Sequence, residues 1–258
     1  MGLPPDRLAE DLELAERAAR AAGELLLERF GGPARGLGRK STRTDMVSDA
    51  DREAEAVVEE VLLGERPDDG LLAEEGSGSE GKSGRRWVVD PLDGTTNYLY
   101  GFPAWAVSVA LEDDEGTAVG VVHDPLRGEL FTALRGGGAF LDGEPAEVGG
   151  GESLDSALVA TGFAYDAERR SAQAKVLVDI VPRVRDIRRA GAASLDLCWL
   201  AVGRLDGYYE RGLEHWDWAA GALIVSEAGG ELRSLEDEPR GLVAAGPAII
   251  DELTELVR

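Results

Sequence analysis

This sequence has almost no lysine. Lys40, Lys82 and Lys175 are all of it, and Lys and Arg together number 27 against 50 Asp and Glu, a formal charge of −23. Such an excess argues against nucleic acid or an anionic membrane as a partner, because both would be repelled. A lysine-poor, acidic surface suits a high-salt cytoplasm, where screening suppresses self-repulsion. A halophilic source is therefore the expectation, with an ordinary acidic protein from a GC-rich genome as the alternative.

Cysteine, histidine and long apolar runs are equally scarce. The single Cys198 rules out an intrachain disulfide and fits a reducing compartment. His123 and His215 are too few for a histidine-built zinc or iron site. No apolar run approaches the roughly 20 residues that cross a bilayer. The segment Met1–Asp6 has neither the basic nor the apolar region of a secretion signal, so a cytoplasmic location is expected.

What is present suits a layered α/β protein with helices covering sheets. Leu8, Leu12, Ala15, Ala19, Ala22, Leu26 and Phe30 recur at helical spacing and stop at Gly31-Gly32-Pro33. Ser48 is a candidate cap for a second helix through Leu62. Residues 76–84 read as a mobile Gly/Ser loop, and strands are expected near 105–111, 118–122 and 129–133. Gly149-Gly150-Gly151 is the candidate boundary between subdomains 1–150 and 151–258. Beyond it, Ser194 is expected to cap a helix through Val202, Tyr208–Glu210 to form a strand, and Trp216–Ala228 to form a helix. Pro247 is expected to open a last helix. Trp105, Trp199, Trp216 and Trp218 read as core.

The most informative run is Trp87-Val88-Val89-Asp90-Pro91-Leu92-Asp93-Gly94-Thr95-Thr96-Asn97-Tyr98. A β-branched run ends on Asp90, and Pro91 keeps that residue extended, so a strand delivers two acids to its C-terminal end. Gly94, Thr95 and Thr96 then offer amides and hydroxyls to an anion, or else form only a tight turn and a helix cap. Acids beside an anion cradle call for a cation between them, and hard oxygen donors suit Mg²⁺. Glu74-Glu75 precedes the Gly/Ser loop. Asp217 opens a small, apolar helix, either as a ligand or as an acid favoured by the helix dipole.

Together these pieces resemble the inositol monophosphatase family of Mg²⁺-dependent, lithium-sensitive sugar phosphatases. The resemblance rests on Asp45–Asp51, Glu74-Glu75-Gly76, the run Trp87–Asn97, Gly101-Phe102-Pro103, and Trp216-Asp217 through Gly230. It implies the sugar-phosphatase fold, an αβαβα sandwich with mixed, largely antiparallel sheets and the active site between the two subdomains. It also implies two or three Mg²⁺ ions. Asp90 would bridge two of them, Glu74 and the Leu92 carbonyl would complete one site, and Asp93 and Asp217 the other. Gly94 and Thr95 would hold phosphate, with Thr95 near an attacking water and Asp51 orienting it. Lys40 matches a family lysine near the site, with a solvated lysine as the alternative, and Glu75 is expected at the surface.

Direct attack by metal-activated water, without a phosphoenzyme, is the implied reaction. On the substrate side the resemblance points to Glu210 on sugar hydroxyls, Asp93 beside them, and the small turn Gly191-Ala192. Arg169, Arg170, Arg188 and Arg189 stand out in so acidic a chain, as holders of a second phosphate or as surface arginines. The expected activity is hydrolysis of a cyclic polyol or sugar phosphate, first inositol 1-phosphate, with fructose 1,6-bisphosphate as the alternative. A metal-binding regulatory protein on the same fold is the non-enzyme alternative. The family implies a homodimer.

Overall fold

Neighbouring residues of the central strands are apolar on both sides, and this dictates the layering. The computed structural model describes residues 5–32, 38–39, 46–76 and 78–258, so Lys40 and Asp45 lie outside the described residues. Helices α1 (Pro5–Arg29) and α2 (Asp49–Glu65) flank the short paired strands β1 (Gly38–Arg39) and β2 (Met46–Val47). The first large sheet follows: β3 (Gly70–Ala73), β4 (Gly78–Ser79), β5 (Arg86–Asp93), β6 (Ala106–Asp113), β7 (Gly116–Asp124), β8 (Glu129–Leu134), β9 (Gly138–Leu141) and β10 (Glu144–Pro145). Helix α3 (Thr95–Tyr100) links β5 to β6. The strand order is β10-β9-β8-β7-β6-β5-β3-β4, antiparallel except for the β3–β5 pair.

The second half contains β11 (Leu158–Thr161), α4 (Ala167–Ile180), β12 (Asp186–Arg188), α5 (Ala193–Ala201) and β13 (Gly207–Arg211). It ends with α6 (His215–Glu227), β14 (Glu231–Leu235), β15 (Gly241–Ala245) and α7 (Ile250–Val257). Its sheet runs β12-β11-β13-β15-β14, with β11 parallel to both neighbours.

Trp87 and Val89 pack with α1 and α2, while Val88 between them packs with α5 and α6, because alternate residues leave opposite faces of a strand. Tyr208 joins the same α5–α6 core, whereas Tyr209 faces α4 and α7. The layers are therefore helices, sheet, helices, sheet, helices: the expected αβαβα sandwich. The small residues of α6 have a packing reason. A β-carbon on Gly120 of β7 would fall 2.8 Å from the Ala220 carbonyl, so helix and sheet approach closely.

Several expectations need correction. Residues 78–79 form a short strand on β3, and Gly81 approaches Gly70 closely, so the expected loop touches the sheet at these points. Buried Arg85, bridging Asp11 and Asp69, anchors its far end. The last helix begins at Ile250, because the amides of Ile249 and Ile250 both donate to the Gly246 carbonyl in a turn over Pro247. Trp105 is fully buried, but Trp199, Trp216 and Trp218 are half-buried at the margin of the core. Among the described residues, no helix is long and apolar enough to cross a membrane.

Candidate active site

Residues three apart in a regular strand point to opposite faces, so Asp90 and Asp93 should diverge. They do not, because β5 bulges between them. Asp90 pairs with Ser108 and Asp93 with Ala106, three steps on one strand against two on the other. Pro91, which has no amide to donate, sits in the bulge. The extra residue returns both acids to one side. β3 runs parallel to β5 with Ala73 opposite Val89, so Glu74 arrives beside Asp90 at the same end of the two strands. Asp217 joins them from the first turn of α6, where its Oδ2 accepts the Glu214 amide at 2.7 Å in a capping box.

Glu74, Asp90, Leu92, Asp93 and Asp217 line one cleft of about 350 Å³, together with Gly94, Gly191 and Glu210. Crowding and burial decide their protonation. Burial, then the charges of Glu74, Asp93 and Asp217, push the Asp90 carboxyl well above the usual carboxylate range. Asp217 is pushed well above it by burial and by Asp93 and Glu74. Burial lifts Asp93 to about 6, against the lowering effect of Ser194. The Glu74 and Asp90 carboxyls hydrogen-bond one another. Among the described residues, no three acidic, histidine or cysteine side chains converge as a ready-made metal cage. The donor set is nonetheless all oxygen, four carboxyls and a main-chain carbonyl, and like charges this close are stabilised by a hard cation between them.

Beside the acids, Gly94 precedes α3 with φ of 91°, and a β-carbon there would meet the Ala104 carbonyl at 2.8 Å. Glycine is required on both counts. Thr95 does not cap the helix. Its hydroxyl lies 3.0 Å from Asp51 Oδ1 and 3.1 Å from the Leu92 carbonyl. Asp51 is itself fixed by the Ser48 amide and hydroxyl on Oδ2, at 2.9 and 2.6 Å. Helix α2, capped by Ser48 as expected, thus orients Thr95.

On the opposite wall the expected N-cap role of Ser194 is not found. Ala192 occupies the N-cap, and the Ser194 amide and hydroxyl both donate to Asp93 Oδ2. Accepting from Ser194 ties the buried Asp93 carboxylate to α5. Asn97 Nδ2 donates to the Ala104 and Ala190 carbonyls at 2.6 and 2.9 Å, joining α3 to the Gly191 turn. Arg169 and Arg189 line the cleft, whereas Arg170 holds the Ala164 and Tyr165 carbonyls and Arg188 pairs with Asp186. Glu75 is half-buried rather than at the surface, with its amide on Glu55 Oε2 at 2.7 Å, and it does not line the cleft. The sequence offered no signal for Asn97 or for the partner of Ser194, since both act across more than 90 residues.

The layered αβαβα fold, with mixed sheets and an acidic cleft at the ends of β3 and β5, defines the class of fold to which the chain belongs. The chain matches the sequence profile of the inositol monophosphatase family over residues 7–257 and belongs to that family, whose members are Mg²⁺-dependent. It is 49% identical over 191 residues to an inositol-1-monophosphatase of Rhizobium meliloti (72% of this chain, 71% of that protein). It is 43% identical over 227 residues to the Nus factor SuhB of Xylella fastidiosa (87% of this chain, 82% of that protein). Among solved structures, the extragenic suppressor protein suhB of Bartonella henselae superposes with a TM-score of 0.91 at 36% identity, covering 96% of this chain and 98% of that one.

Proposed function

We propose that this chain is a cytoplasmic, lithium-sensitive phosphomonoesterase acting on a cyclic polyol or sugar phosphate, with inositol 1-phosphate as the first substrate. The observation that carries this reading is the bulge that turns Asp90 and Asp93 to one side, next to Gly94, with the Thr95 hydroxyl on the Leu92 carbonyl between them. Glu74, Asp90, the Leu92 carbonyl, Asp93 and Asp217 would hold two or three Mg²⁺ ions. Mg²⁺ so bound would activate water and neutralise charge that builds on the phosphoryl and leaving oxygens. The amides of Gly94 and Thr95 bind phosphate oxygens. Asp51 accepts from the Thr95 hydroxyl and so fixes the direction of that group. Glu210 and the Gly191-Ala192 turn receive the sugar ring. Lys40 and a homodimeric state complete the reading.

A panel of phosphate esters assayed for phosphate release with Mg²⁺, with and without lithium, tests it. Release from inositol 1-phosphate, suppressed by lithium, is expected; release from no ester would overturn the proposal. Arg169 and Arg189 in the cleft favour a second reading, fructose 1,6-bisphosphate, which a strong preference in the same panel would support. The name Nus factor SuhB on relatives favours a regulatory role on this fold, the reading that remains if no ester is cleaved.

A further inference from the structure

Glu210 stands on the cleft wall at the end of β13, and its carboxylate is held from two directions. Tyr208, two residues earlier on the same face of the strand, places its hydroxyl 2.8 Å from Glu210 Oε2. The Tyr208 ring is fully buried in the core beneath α5 and α6, so the donor has little freedom. Behind the carboxylate lies Gly162, where a β-carbon would fall 1.9 Å from Oε2 and 2.2 Å from Oε1. Only a residue without a side chain leaves room for Glu210 in this seat.

We infer that Tyr208 and Gly162 are positioning residues that fix Glu210 as a directional acceptor for a substrate hydroxyl, so that this wall selects polyhydroxylated phosphate esters. The inference rests on the phosphatase reading and goes beyond it by naming the two residues that hold Glu210 in place. A carboxylate offers only acceptors, so it takes hydrogen bonds from hydroxyls and repels a second anion. Tyr208 donates to Oε2, which leaves Oε1 to accept from a ligand hydroxyl. Burial lifts the Glu210 carboxyl to about 7, and the Tyr208 bond and the Arg189 charge favour its ionised, accepting form, with Asp93 opposing them. Asp196, buried nearby on α5, also feels the Glu210 charge. A fixed acceptor loses little freedom on binding, whereas a mobile one must first be ordered.

Steady-state kinetics with Mg²⁺ on two esters tests this: inositol 1-phosphate, and phenyl phosphate, whose ring carries no hydroxyl. Tyr208→Phe is expected to raise KM for inositol 1-phosphate about tenfold relative to that for phenyl phosphate, with little change in the ratio of the two kcat values. Gly162→Ala, whose new methyl group has the flexible end of Glu210 as its nearest neighbour, is expected to shift the KM ratio in the same direction with Tyr208 intact. In a Glu210→Ala background, Tyr208→Phe should leave the ratio unchanged. Equal changes for both esters, no change for either, or a Tyr208→Phe effect that persists without Glu210 would overturn the inference alone. Wild-type protein that cleaves neither ester would overturn the phosphatase reading and this inference with it.

Discussion

The Ser194 amide and hydroxyl both donate to Asp93 Oδ2, at 2.7 and 2.5 Å. Asp93 ends a strand of the first sheet and Ser194 opens α5, so the pair fastens the acidic wall of the cleft to the opposite one. Ser194→Ala keeps the amide bond and removes a charge-assisted hydroxyl bond worth about 1.5–3 kcal/mol. The Asp93 carboxyl, already lifted to about 6, should rise further and hold a cation less well. The Mg²⁺ concentration for half-maximal activity is predicted to rise about tenfold with the fold retained. An unchanged Mg²⁺ requirement would separate Ser194 from cation binding.

The same acids make metal stabilisation depend on pH. Asp90, Asp93 and Asp217 all titrate above the ordinary aspartate value of 3.8 when folded, Asp93 at about 6. Between those values the folded chain holds more protons than the unfolded one. Metal-free stability therefore falls as pH rises through the window. Bound cation relieves the repulsion that appears there. The gain in Tm on adding Mg²⁺ should grow from about pH 4.5 to about pH 7.5 at constant ionic strength, reaching several degrees. A gain that shrinks with rising pH would contradict the clustered-carboxyl account.

Thr95 and Asp51 allow a graded test. Thr95→Ser retains the hydroxyl that meets Asp51 Oδ1 and should keep activity within about tenfold. Thr95→Val keeps the shape and removes the hydroxyl, with a predicted loss on the order of a hundredfold or more in kcat. Asp51→Asn should also lower Tm, because Asp51 accepts from Ser48 at the start of α2 as well as from Thr95. Equal activity of the Ser and Val variants would remove the hydroxyl from the account.

Much of this architecture was legible in the residues. The helical spacing from Leu8 to Phe30, Ser48 as a cap, and the strand through Val88 and Val89 that carries Asp90 all express local periodicity or local hydrogen bonding, which a sequence displays directly. What escaped was set by partners distant in sequence. Ser194 looked like a helix cap because serine prefers that position, but a buried carboxylate on another element recruits both of its donors. The glycines and serines from 76 to 84 give no sign that 78–79 pair with β3 or that Gly81 approaches Gly70, because both contacts are set by residues outside the run. The bulge at Pro91 was visible only as a proline, and its consequence for Asp93 needed the register against β6.

Net charge carries its own prediction. With −23 formal charges and three lysines, self-repulsion should destabilise the chain in dilute buffer. Molar KCl is predicted to raise Tm by several degrees, because the Debye length falls to roughly 3 Å. Unfolding that is indifferent to KCl would remove the halophilic reading without touching the cleft.

Asp90→Asn offers the most direct test of the central claim, that the acids at the end of β5 hold the cation that drives hydrolysis. Phosphate release from inositol 1-phosphate, followed across a Mg²⁺ titration for wild type and variant, is the measurement. The account predicts a Mg²⁺-dependent wild-type rate and a variant slower by on the order of a thousandfold or more at every concentration. The variant should remain folded, since it removes one of several crowded buried charges. A variant that releases phosphate at the wild-type rate, or a wild-type rate that ignores Mg²⁺, would contradict it.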